Sequence, residues 1–437
     1  MADTIGIALA GCGTVGKALA RMLVVDAEAL TARTGIRVEM RQILVRDAKK
    51  SRATVSPALI TTDPAKILAD PQVKIFVELI GGADRARELT LAALAAGKDV
   101  VTANKALLAH HGAELFAAAR RAGRCIAFEA AVCGGVPLIE SIRRGLIANE
   151  IDAVYGILNG TCNFILTRML ENHASYPHAL AEAQRLGYAE ADPRLDVDGV
   201  DSAHKLAILA SLTMRRSCAL NHIPALGIAD IDLIDLTAAR ELGYACKLLA
   251  IARRREDGLE LSVRPTFIPL AHPLASVGGP FNAVSVYGSA VGHTLFYGRG
   301  AGGAPTASAV LSDIIEVATG NAGRTFAQFA VLPDQTPPAT YRSPGETIAP
   351  HYLRINLLDR PGGIGRIATA LGAEGISIAS IIQREPPHAA DGGVVPVIVT
   401  THPAKHHAVE RALAAIATFD AVVGKPVCIP MLDGDEA

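Results

Sequence analysis

Short apolar runs alternate with amphipathic stretches along the first third of the chain. Apolar runs bounded by turn residues are typical of buried strands, whereas apolar positions that recur every three or four residues predict helices. The predicted strands are residues 5–10, 36–45, 74–80, 99–102 and 124–128. The predicted helices are residues 17–33, 85–96 and 112–122. Because strands and helices alternate, we predict an α/β fold with a doubly wound parallel sheet.

The pattern loses this regularity after Pro137. Residues 151–158 are predicted as a strand, and residues 261–269 and 283–296 are β-rich stretches. The predicted helices are residues 164–171, which a polar turn at 159–163 caps, then 177–186, a long helical run at 230–255, and 307–319. This mixture predicts an α+β domain with a sheet of its own.

A third pattern follows residues 331–349, which are rich in Pro, Thr and Ser and are typical of a linker. The predicted strands here are residues 351–359, 376–384, 394–400 and one near 421–430, and the predicted helices are 364–374 and 404–415. The order βαββαβ predicts a ferredoxin-like domain.

Composition and charge exclude several classes of protein. The chain has 437 residues, which is too long for one core and sufficient for two or three domains. Half of it is hydrophobic, with 4% aromatic residues and no tryptophan, which suits α/β packing of Ala, Val, Leu and Ile. The net charge is −1 with no basic block, so nothing points to nucleic acid or to an anionic membrane.

The seven cysteines are scattered, and none forms a Cys-x-x-Cys pair. Zinc sites and a disulfide framework are therefore not expected, and a reducing cytoplasm is the simplest location. No charged leader precedes the first strand, and no uncharged apolar run approaches the roughly 18 residues of a membrane-spanning helix. We expect a cytoplasmic protein.

A glycine-rich motif stands between the first predicted strand and helix. Its sequence is Gly11-Cys12-Gly13-Thr14-Val15-Gly16. Gly11 permits a tight turn, Gly13 lets backbone N–H groups approach a pyrophosphate, and Gly16 lets the helix pack on the strand. In this strand–turn–helix context the motif predicts NAD(P) binding by a Rossmann-type domain. The alternative is a tight turn with no ligand.

The end of the second strand bears on the choice of nucleotide. Arg46, Lys49 and Lys50 stand near the position where an acidic residue is usual, and they could neutralise a 2′-phosphate. We therefore expect NADP to be favoured, while Asp47 keeps NAD possible.

The carboxyl ends of the other predicted strands place polar residues at one sheet edge, where such folds bind ligands. Thr102 and Lys105 follow one buried strand, and Glu129 follows the next. Lys105 is thus aimed at the ligand crevice, although it could be a surface lysine that flanks a helix. Glu129 and the carbonyls of the turn up to Pro137 could hold a monovalent cation, but from spacing alone a plain strand-to-helix turn is the favoured interpretation.

Residues 187–205 form an acidic loop that leads into a helix. Asp201 and Lys205 are four residues apart on that helix. Such a pair is usually solvated and worth roughly 0.3–0.5 kcal/mol. Both residues, however, lie inside the apolar arc of Leu206, Ile208, Leu209 and Leu212. The pair is therefore a buried structural bridge or an active-site pair.

A second glycine-rich loop at residues 297–306 leads into the predicted helix at 307–319. The N-terminus of that helix is open to an anion or a nicotinamide. We expect this helix to return to the first domain, and the catalytic site to lie between the first two domains.

These motifs together resemble homoserine dehydrogenase over nearly the whole chain. The runs that carry the resemblance are 11–16, Val-Thr-Ala-Asn-Lys at 101–105, Asn-Gly-Thr-Cys-Asn at 159–163, 187–205 and the glycine-rich run from Tyr297. The tail resembles an ACT domain through its strand from Tyr352 and its Asp-Arg-Pro-Gly-Gly turn. We therefore expect the single-function, ACT-tailed form of the enzyme.

The resemblance implies NAD(P)-dependent interconversion of L-homoserine and L-aspartate 4-semialdehyde, on the route to threonine, methionine and isoleucine. It implies that Lys205 exchanges the substrate proton beside Asp201. The residues implied to bind substrate are Gly187, Tyr188, Glu190 and Asp196, with Lys105 reaching both substrate and cofactor. The implied cofactor residues are Gly11, Cys12, Gly13, Thr14, Val15, Gly16, Arg46, Thr102, Lys105 and Gly302. Leu195 stands where the family often has a second acid.

The family also implies a sodium site at Glu129, Val132, Gly134 and Val136, an amino-acid effector of the tail, most simply threonine, and a homodimer or homotetramer. The domains expected are 1–136 with a returning helix at about 305–330 for the dinucleotide, 137–304 for catalysis and oligomerisation, a linker at 331–349, and the ACT domain at 350–432.

Two rival functions belong to other classes. An ACT-tailed 2-hydroxyacid dehydrogenase would need a catalytic histidine with a carboxylate partner, and no such pair is evident in the second domain. A non-enzymatic NAD(P)-sensing regulator would have no reason to carry the Glu190–Lys205 segment.

Overall fold

A computed structural model describes residues 3–50, 55–383 and 393–432. The strands are β1 Asp3–Ala10, β2 Ile36–Leu44, β3 Ile60–Thr61, β4 Val73–Glu78, β5 Asp99–Thr102, β6 Ile126–Ala127, β7 Ile151–Ile157, β8 Tyr244–Arg255, β9 Gly258–Pro269, β10 Phe281–Gly288, β11 Gly292–Arg299, β12 Ile348–Ala349, β13 His351–Leu358, β14 Ile378–Gln383, β15 Val394–Thr401, β16 Ala404–Lys405 and β17 Val427–Pro430.

The helices are α1 Thr14–Val25, α2 Ala27–Thr34, α3 Pro64–Ala69, α4 Asp84–Ala95, α5 Lys105–Arg121, α6 Gly160–Glu171, α7 Tyr176–Arg185, α8 Arg194–Val197, α9 Val200–Met214, α10 Leu233–Glu241, α11 Gly303–Ala318, α12 Asn321–Gln328, α13 Gly363–Ala373 and α14 His406–Ile416. In the part of the chain that the structure describes, no helix combines the length and apolarity needed to cross a bilayer.

The chain folds into two compact units. Unit 1 comprises Met1–Gly160, Asp201–Ile223 and Phe281–Ala339. Unit 2 comprises Thr161–Val200, Pro224–Pro280 and Thr340–Ala437. Each unit is therefore assembled from segments that are distant along the chain.

A six-stranded parallel sheet forms the centre of unit 1, with the strand order β3-β2-β1-β4-β5-β6. Its central strands are almost continuously apolar because helices cover both faces of a parallel sheet. Ile7 and Leu9 of β1 and Val77 of β4 are fully buried. This architecture confirms the predicted doubly wound α/β fold.

Helix α11 packs on this first sheet domain although it lies far downstream in the sequence. Ala307, Val310 and Ile314 are buried in the same core cluster as Leu19 of α1. A Cβ atom on Gly303 would lie 3.1 Å from the Thr14 methyl group, so the absence of a side chain permits this close approach. Unit 1 also contains an antiparallel ladder in which β10 pairs with both β7 and β11.

The prediction of one long helix over residues 230–255 is correct for its first part and wrong for the rest. Helix α10 ends at Glu241, Gly243 adopts a left-handed φ of 88°, and residues 244–255 form strand β8. The strand pairs with β9 over its whole length. Ala, Leu and Arg in this run favour a helix locally, but pairing with β9 overrides that propensity.

Two other helices differ from their predicted bounds. The stretch 17–33 is two helices, α1 and α2, with Asp26 between them. Helix α5 begins at Lys105 rather than near residue 112, because the Asn104 side chain caps it by accepting from the Leu107 N–H at 3.0 Å. Gly112 therefore lies inside this helix.

The tail in unit 2 has the predicted order βαββαβ. Its antiparallel sheet has the strand order β14-β15-β13-β17, and α13 and α14 cover the core formed by Leu353, Ile367 and Val409. The predicted strand 376–384 is observed as β14, and its last residue, Arg384, lies outside the described residues. Within the segment 331–349, the Thr340 carbonyl accepts from the Leu259 N–H of β9 at 2.8 Å.

Candidate functional site

Three polar residues of unit 1 converge on the buried carboxylate of Asp201. Lys205 Nζ donates to Asp201 Oδ2 at 2.7 Å, and Asn159 Nδ2 donates to the same oxygen at 2.9 Å. Lys105 Nζ lies 3.0 Å from Asp201 Oδ1. We call Lys105, Asn159, Asp201 and Lys205 the Asp201 cluster. Sequence spacing paired only two of these residues, and the fold brings the other two to them.

The elements of unit 1 fix each member of the Asp201 cluster. One turn of α9 places Lys205 above Asp201, and Lys205 Nζ also donates to the Leu158 carbonyl just after β7 at 2.7 Å. Asn159 follows that carbonyl in the chain. The Asn104 cap makes Lys105 the first residue of α5, directly beyond the carboxyl end of β5. Three elements therefore deliver two ammonium groups and an amide to one carboxylate.

The neighbouring ammonium groups keep the buried Asp201 carboxylate ionised near neutral pH. Burial would raise the pKa of Asp201, but the charges of Lys205 and Lys105 and the hydrogen bonds from Lys205 and Asn159 hold it well below its usual range. The Lys205 side chain is 10% exposed, whereas that of Lys105 is 42% exposed. The arrangement can present one fixed and one accessible ammonium group to a substrate oxygen.

A second polar chain lies at the ends of β4 and β5. Thr102 Oγ1 donates to the Glu78 carboxylate at 2.7 Å and accepts from the Asn104 N–H at 3.0 Å. Glu78 is fully buried, and burial raises its pKa. This chain holds the residues that precede Lys105, so Thr102, which the resemblance implies to bind cofactor, also organises the start of α5.

A cavity of about 1160 Å³ surrounds the first glycine-rich turn. Its wall includes Gly11, Cys12, Gly13, Thr14, Lys17, Arg46, Asp47, Lys50 and Gly81. The cavity is large enough for a dinucleotide. Val15, Gly16, Thr102, Lys105 and Gly302, which the resemblance implies to bind cofactor, do not line it. Gly302 instead caps α11.

The three glycines of the motif differ in their surroundings. Gly11 has a φ of 101°, and a Cβ atom there would lie 2.5 Å from the Leu79 carbonyl oxygen. A Cβ atom on Gly16 would lie 2.6 Å from the Gly11 carbonyl oxygen. A Cβ atom on Gly13 would meet nothing within 4 Å. Gly11 and Gly16 therefore serve the turn, and Gly13 faces open space where a pyrophosphate could approach.

Glu129 accepts three backbone hydrogen bonds. Its Oε1 accepts from the N–H groups of Leu138 and Ile139, and its Oε2 accepts from Glu140, all between 2.7 and 2.9 Å. Burial raises the pKa of Glu129, and burial together with the nearby Glu129 charge raises the pKa of Asp313 well above its usual range. Glu129 thus caps the helical turn that follows Pro137.

Val132 and Val136 are buried in the same turn, and a Cβ atom on Gly134 would lie 2.8 Å from Thr306 Oγ1. Cys133 between them has a left-handed φ of 52°. The oxygen atoms of this turn belong to neutral carbonyls and to one carboxylate, which accepts three backbone N–H groups. Oxygen atoms of this kind suit a monovalent cation better than a divalent one.

The other residues that the resemblance implies to bind substrate lie in unit 2. Gly187 adopts a φ of 76° after α7, and the Tyr188 carbonyl accepts from Thr161 Oγ1 at 2.7 Å. The Glu190 side chain is exposed, and Asp196 is half-buried in α8. Leu195 is 65% exposed. These residues follow one another from the end of α7 into α8, and all but Asp196 are exposed.

Sequence reasoning missed several groups around the Asp201 cluster. The sequence of the turn at 159–163 predicts a cap for a helix from residue 164, whereas in the structure α6 begins at Gly160 and Asn159 donates to Asp201. His204 stacks edge-on with His110 at 5.3 Å between ring centroids, and burial lowers its pKa. Asn282 Nδ2 lies 3.4 Å from the buried Cys133 thiol. The unusual Asn-Gly-Thr-Cys-Asn composition was the one signal that could have marked Asn159.

Known protein families match the chain in three consecutive parts. The sequence model of the NAD-binding domain of homoserine dehydrogenase matches residues 11–129, that of homoserine dehydrogenase matches residues 137–315, and that of the ACT domain matches residues 351–418. These ranges follow the order of the glycine-rich turn, the Asp201 cluster and the tail.

Individual relatives match over nearly their whole length. The homoserine dehydrogenase of Pseudomonas aeruginosa is 43% identical over 426 residues, which are 97% of this chain and 98% of that protein. The homoserine dehydrogenase of Corynebacterium glutamicum is 42% identical over 430 residues, which are 97% of this chain and 94% of that protein.

Solved structures of homoserine dehydrogenases are also similar to this chain. The crystal structure of a homoserine dehydrogenase from Thiobacillus denitrificans is 42% identical, with a TM-score of 0.91 and coverage of 99% of both chains. A hyperthermophilic archaeal homoserine dehydrogenase in complex with NADPH is 26% identical, with a TM-score of 0.61, and covers 72% of this chain and 98% of that one. The rival 2-hydroxyacid dehydrogenase and nucleotide-sensor functions are thereby excluded. With its dinucleotide turn, its buried lysine–aspartate cluster and its ACT tail, the chain belongs to the homoserine dehydrogenase family of NAD(P)-dependent oxidoreductases.

Proposed function

We propose that Lys205 is the group that exchanges a proton with the substrate oxygen when L-homoserine and L-aspartate 4-semialdehyde are interconverted. Reduction of the aldehyde transfers a hydride from the nicotinamide to carbon and leaves an alkoxide that takes up a proton. The observation that carries the proposal is the ammonium of Lys205, held at 2.7 Å from both the Asp201 carboxylate and the Leu158 carbonyl. A buried ammonium with fixed partners stabilises a developing alkoxide with little reorganisation.

In this proposal Asp201 orients both lysines and balances their charge, and Asn159 fixes the carboxylate. Lys105 is the more exposed ammonium and contacts the substrate and the cofactor. Glu190 binds the substrate ammonium group, with Gly187, Tyr188 and Asp196 shaping the same loop. Support for the loop assignment comes from its acidic, exposed character.

The test of the reaction is the change in NAD(P)H absorbance when homoserine is oxidised by the intact protein. We expect Lys205→Ala to lower kcat by about 10²–10⁴-fold, because the proton transfer loses its positioned group. The nucleotide dissociation constant, measured by fluorescence, should stay unchanged.

The matched controls are Lys74→Ala, which removes an exposed lysine, and Lys205→Arg, which keeps the charge but cannot release a proton. Near-normal turnover of Lys205→Ala or Lys205→Arg would refute the assignment of Lys205. Absence of homoserine oxidation by the wild-type protein would refute the substrate.

For the cofactor, we propose NADP as the preferred nucleotide. Arg46 and Lys50 line the dinucleotide cavity, where their charges suit a 2′-phosphate, while Asp47 in the same wall suits a 2′-hydroxyl. Cys12, Gly13 and Thr14 complete the proposed pyrophosphate site. A higher kcat/KM with NAD than with NADP would overturn this preference.

A sodium ion is proposed to bind at Glu129, Val132, Gly134 and Val136, where one carboxylate and neutral carbonyls are the available ligands. When bound, the ion would stabilise the turn that precedes Pro137. Exchange of NaCl for tetramethylammonium chloride at constant ionic strength should lower the thermal midpoint, and an unchanged midpoint would contradict the proposal.

Feedback control by threonine is proposed for the tail. A cavity of about 140 Å³ lies at the Asp-Arg-Pro-Gly-Gly turn, beside the N-terminus of α13, which suits an amino-acid carboxylate. Calorimetry with threonine on the full chain should show binding that Gly363→Val abolishes while basal turnover persists. If threonine neither binds nor inhibits, the tail has a structural role.

The proposed domain organisation is residues 1–136 with the helix at about 305–330 for the dinucleotide, 137–304 for catalysis and oligomerisation, a linker at 331–349 and the ACT domain at 350–432. The ranges of the three family matches support it. A homodimer or homotetramer is proposed as the working assembly, and light scattering that shows only a monomer would contradict it.

A further inference from the structure

Three potential metal ligands from separate elements of unit 2 converge in the tail. They are His351 at the start of β13, His406 at the start of α14 and Cys428 on β17. One ligand atom from each lies within 4.8 Å of the other two. We propose that His351, His406 and Cys428 form a binding site for a Zn²⁺ ion.

The backbone holds all three residues in place. In the antiparallel register of β13 and β17, Cys428 stands opposite Leu353, so its side chain leaves the same face of the sheet as His351. The His351 N–H donates to Thr401 Oγ1 at 3.0 Å, and the His406 N–H donates to the Thr347 carbonyl at 2.9 Å. The ligands are thus preorganised rather than gathered by the metal.

The spacing of the two imidazoles matches zinc coordination. His351 Nε2 and His406 Nδ1 are 3.2 Å apart. Two nitrogens at about 2.0–2.1 Å from a tetrahedral zinc ion lie roughly 3.3 Å apart. Without a metal, the same two atoms share one hydrogen bond. The observed distance is therefore compatible with both the metal-free and the zinc-bound site.

The chemistry of the three ligands suits a soft cation. Metal binding requires that His351 and His406 each offer a ring lone pair and that the Cys428 thiol loses its proton to the solvent. Two imidazoles and a thiolate are ligands that zinc prefers.

Two charged residues next to His406 have opposite effects on the binding of a cation. Glu410 Oε1 lies 3.5 Å from His406 Nε2, the nitrogen that must carry the proton when Nδ1 binds metal. A carboxylate in that position orients a ligating histidine and raises its basicity. Arg264 lies 3.4 Å from the same nitrogen and opposes a cation, but its charge stabilises the Cys428 thiolate.

A cavity of about 350 Å³ lies beside these residues. Arg264, Pro350 and Pro430 are part of its wall, and Pro350 and Pro430 are the chain and ladder neighbours of His351. Three protein ligands leave the fourth tetrahedral position for a water molecule or a small anion. The cavity supplies the path by which ion and water would enter.

The test uses the full-length protein without a histidine tag, stripped with EDTA and titrated with Zn²⁺ against a chromogenic chelator. We expect one Zn²⁺ per chain and a rise in the thermal midpoint on binding. Co²⁺ in place of Zn²⁺ should give a thiolate-to-cobalt absorption band and the intense visible bands of a tetrahedral site. Cys428→Ser should abolish the thiolate band, and His351→Asn should abolish stoichiometric zinc binding.

Glu410→Gln should weaken zinc binding by about 10–100-fold, because it removes only the partner of a ligand. The matched controls are Cys218→Ser, a buried thiol of unit 1, and His407→Asn, the histidine beside His406 whose ring contacts the Gly345 carbonyl. Both should bind zinc as the wild type does. Absence of stoichiometric zinc on the wild-type protein, or its retention in both Cys428→Ser and His351→Asn, would overturn the proposal and leave a histidine–histidine hydrogen bond.

Discussion

At the scale of single residues, Asp201 is the group on which the site depends. It is buried, and it faces two ammonium groups and one amide donor. A buried ion pair whose members are all satisfied can be close to neutral in stability, but removal of one charge strands the other. Removal of this carboxylate should therefore affect the stability of the fold in addition to the proposed chemistry.

The first prediction concerns stability and pH. Asp201→Asn should lower the free energy of unfolding at pH 7 by about 3–5 kcal/mol, because it leaves the Lys205 charge buried without a counter-charge. The folded-state pKa of Asp201 is depressed, so its contribution is complete above about pH 4 and is lost as pH falls further towards the folded-state pKa.

Urea unfolding of the variant and the wild type across this pH range measures the effect. The stability difference should shrink below about pH 4. Asp198→Asn, an exposed acid three residues earlier, should change stability by less than about 0.5 kcal/mol. A constant difference down to pH 2 would show that ionisation of Asp201 is not responsible.

Thr102 gives a second prediction at this scale. Thr102→Val should cost about 1–3 kcal/mol, because buried Glu78 and the Asn104 N–H both lose a hydrogen-bond partner. Thr213→Val is a matched control, since this buried hydroxyl bonds only a carbonyl of its own helix. Calorimetric melting compares the two. Equal destabilisation of the two variants would mean that the hydrogen bonds of Thr102 with Glu78 and Asn104 stabilise the protein no more than the hydrogen bond of Thr213 within its own helix.

At the scale of elements, two glycines of the turn between β1 and α1 are expected to differ in role: Gly11 in the structure of the turn and Gly13 in nucleotide binding. Gly11→Ala should destabilise the fold by more than about 1–2 kcal/mol, because alanine is strained at φ 101° and its methyl group would meet Leu79. Gly13→Ala should fold normally but weaken nucleotide binding, because its methyl group would occupy the space for the pyrophosphate.

Thermal melting and nucleotide titration of both variants distinguish the two roles. Gly123→Ala, at a distant positive φ of 63° with no atom within 4 Å of its Cβ position, is the control for backbone strain alone. If Gly13→Ala binds NADP as tightly as the wild type, the pyrophosphate does not approach the chain at this residue.

Elements were predicted well where one local pattern decides the structure. The strands of the parallel sheet are apolar runs, and the tail has clear alternation, so both followed from periodicity. Strand β8 was predicted as helix because its Ala, Leu and Arg residues favour that state locally. Only its pairing with β9, which involves residues beyond the local window, makes it a strand.

At the scale of the molecule, the tail is built into unit 2. Arg354 of β13 donates to both oxygens of Asp235 at 2.7 and 3.1 Å, and Tyr352 donates to the same carboxylate at 2.9 Å. Asp235 is fully buried on α10. The tail and α10 therefore share one buried ionic centre.

A further prediction follows from this centre. Arg354→Leu should destabilise the protein by about 3–5 kcal/mol, because the buried Asp235 charge loses its counter-charge. The double variant Asp235→Leu/Arg354→Leu should recover part of this loss, because no buried charge is left unpaired, although Tyr352 and the Asp232 N–H still lose their acceptor. Arg366→Leu, whose partner Asp420 is exposed, should cost no more than about 1 kcal/mol. Denaturant unfolding of the wild type, the single variants Arg354→Leu and Asp235→Leu, and the double variant completes the cycle, with Arg366→Leu as a separate control. Additive losses would contradict the argument.

The chain by itself determined the fold class, the order of the three folding patterns, the dinucleotide turn and the Asp201–Lys205 pair. Each of these features depends on residues that are close in sequence. They lie within one turn of a helix, or within a strand and the turn that follows it. It did not determine that Asn159 and Lys105 meet Asp201, that Glu129 caps residues 138–140, or that two histidines and a cysteine converge in the tail. Those contacts join residues far apart in sequence, and only the packing of sheets and helices brings them within bonding distance.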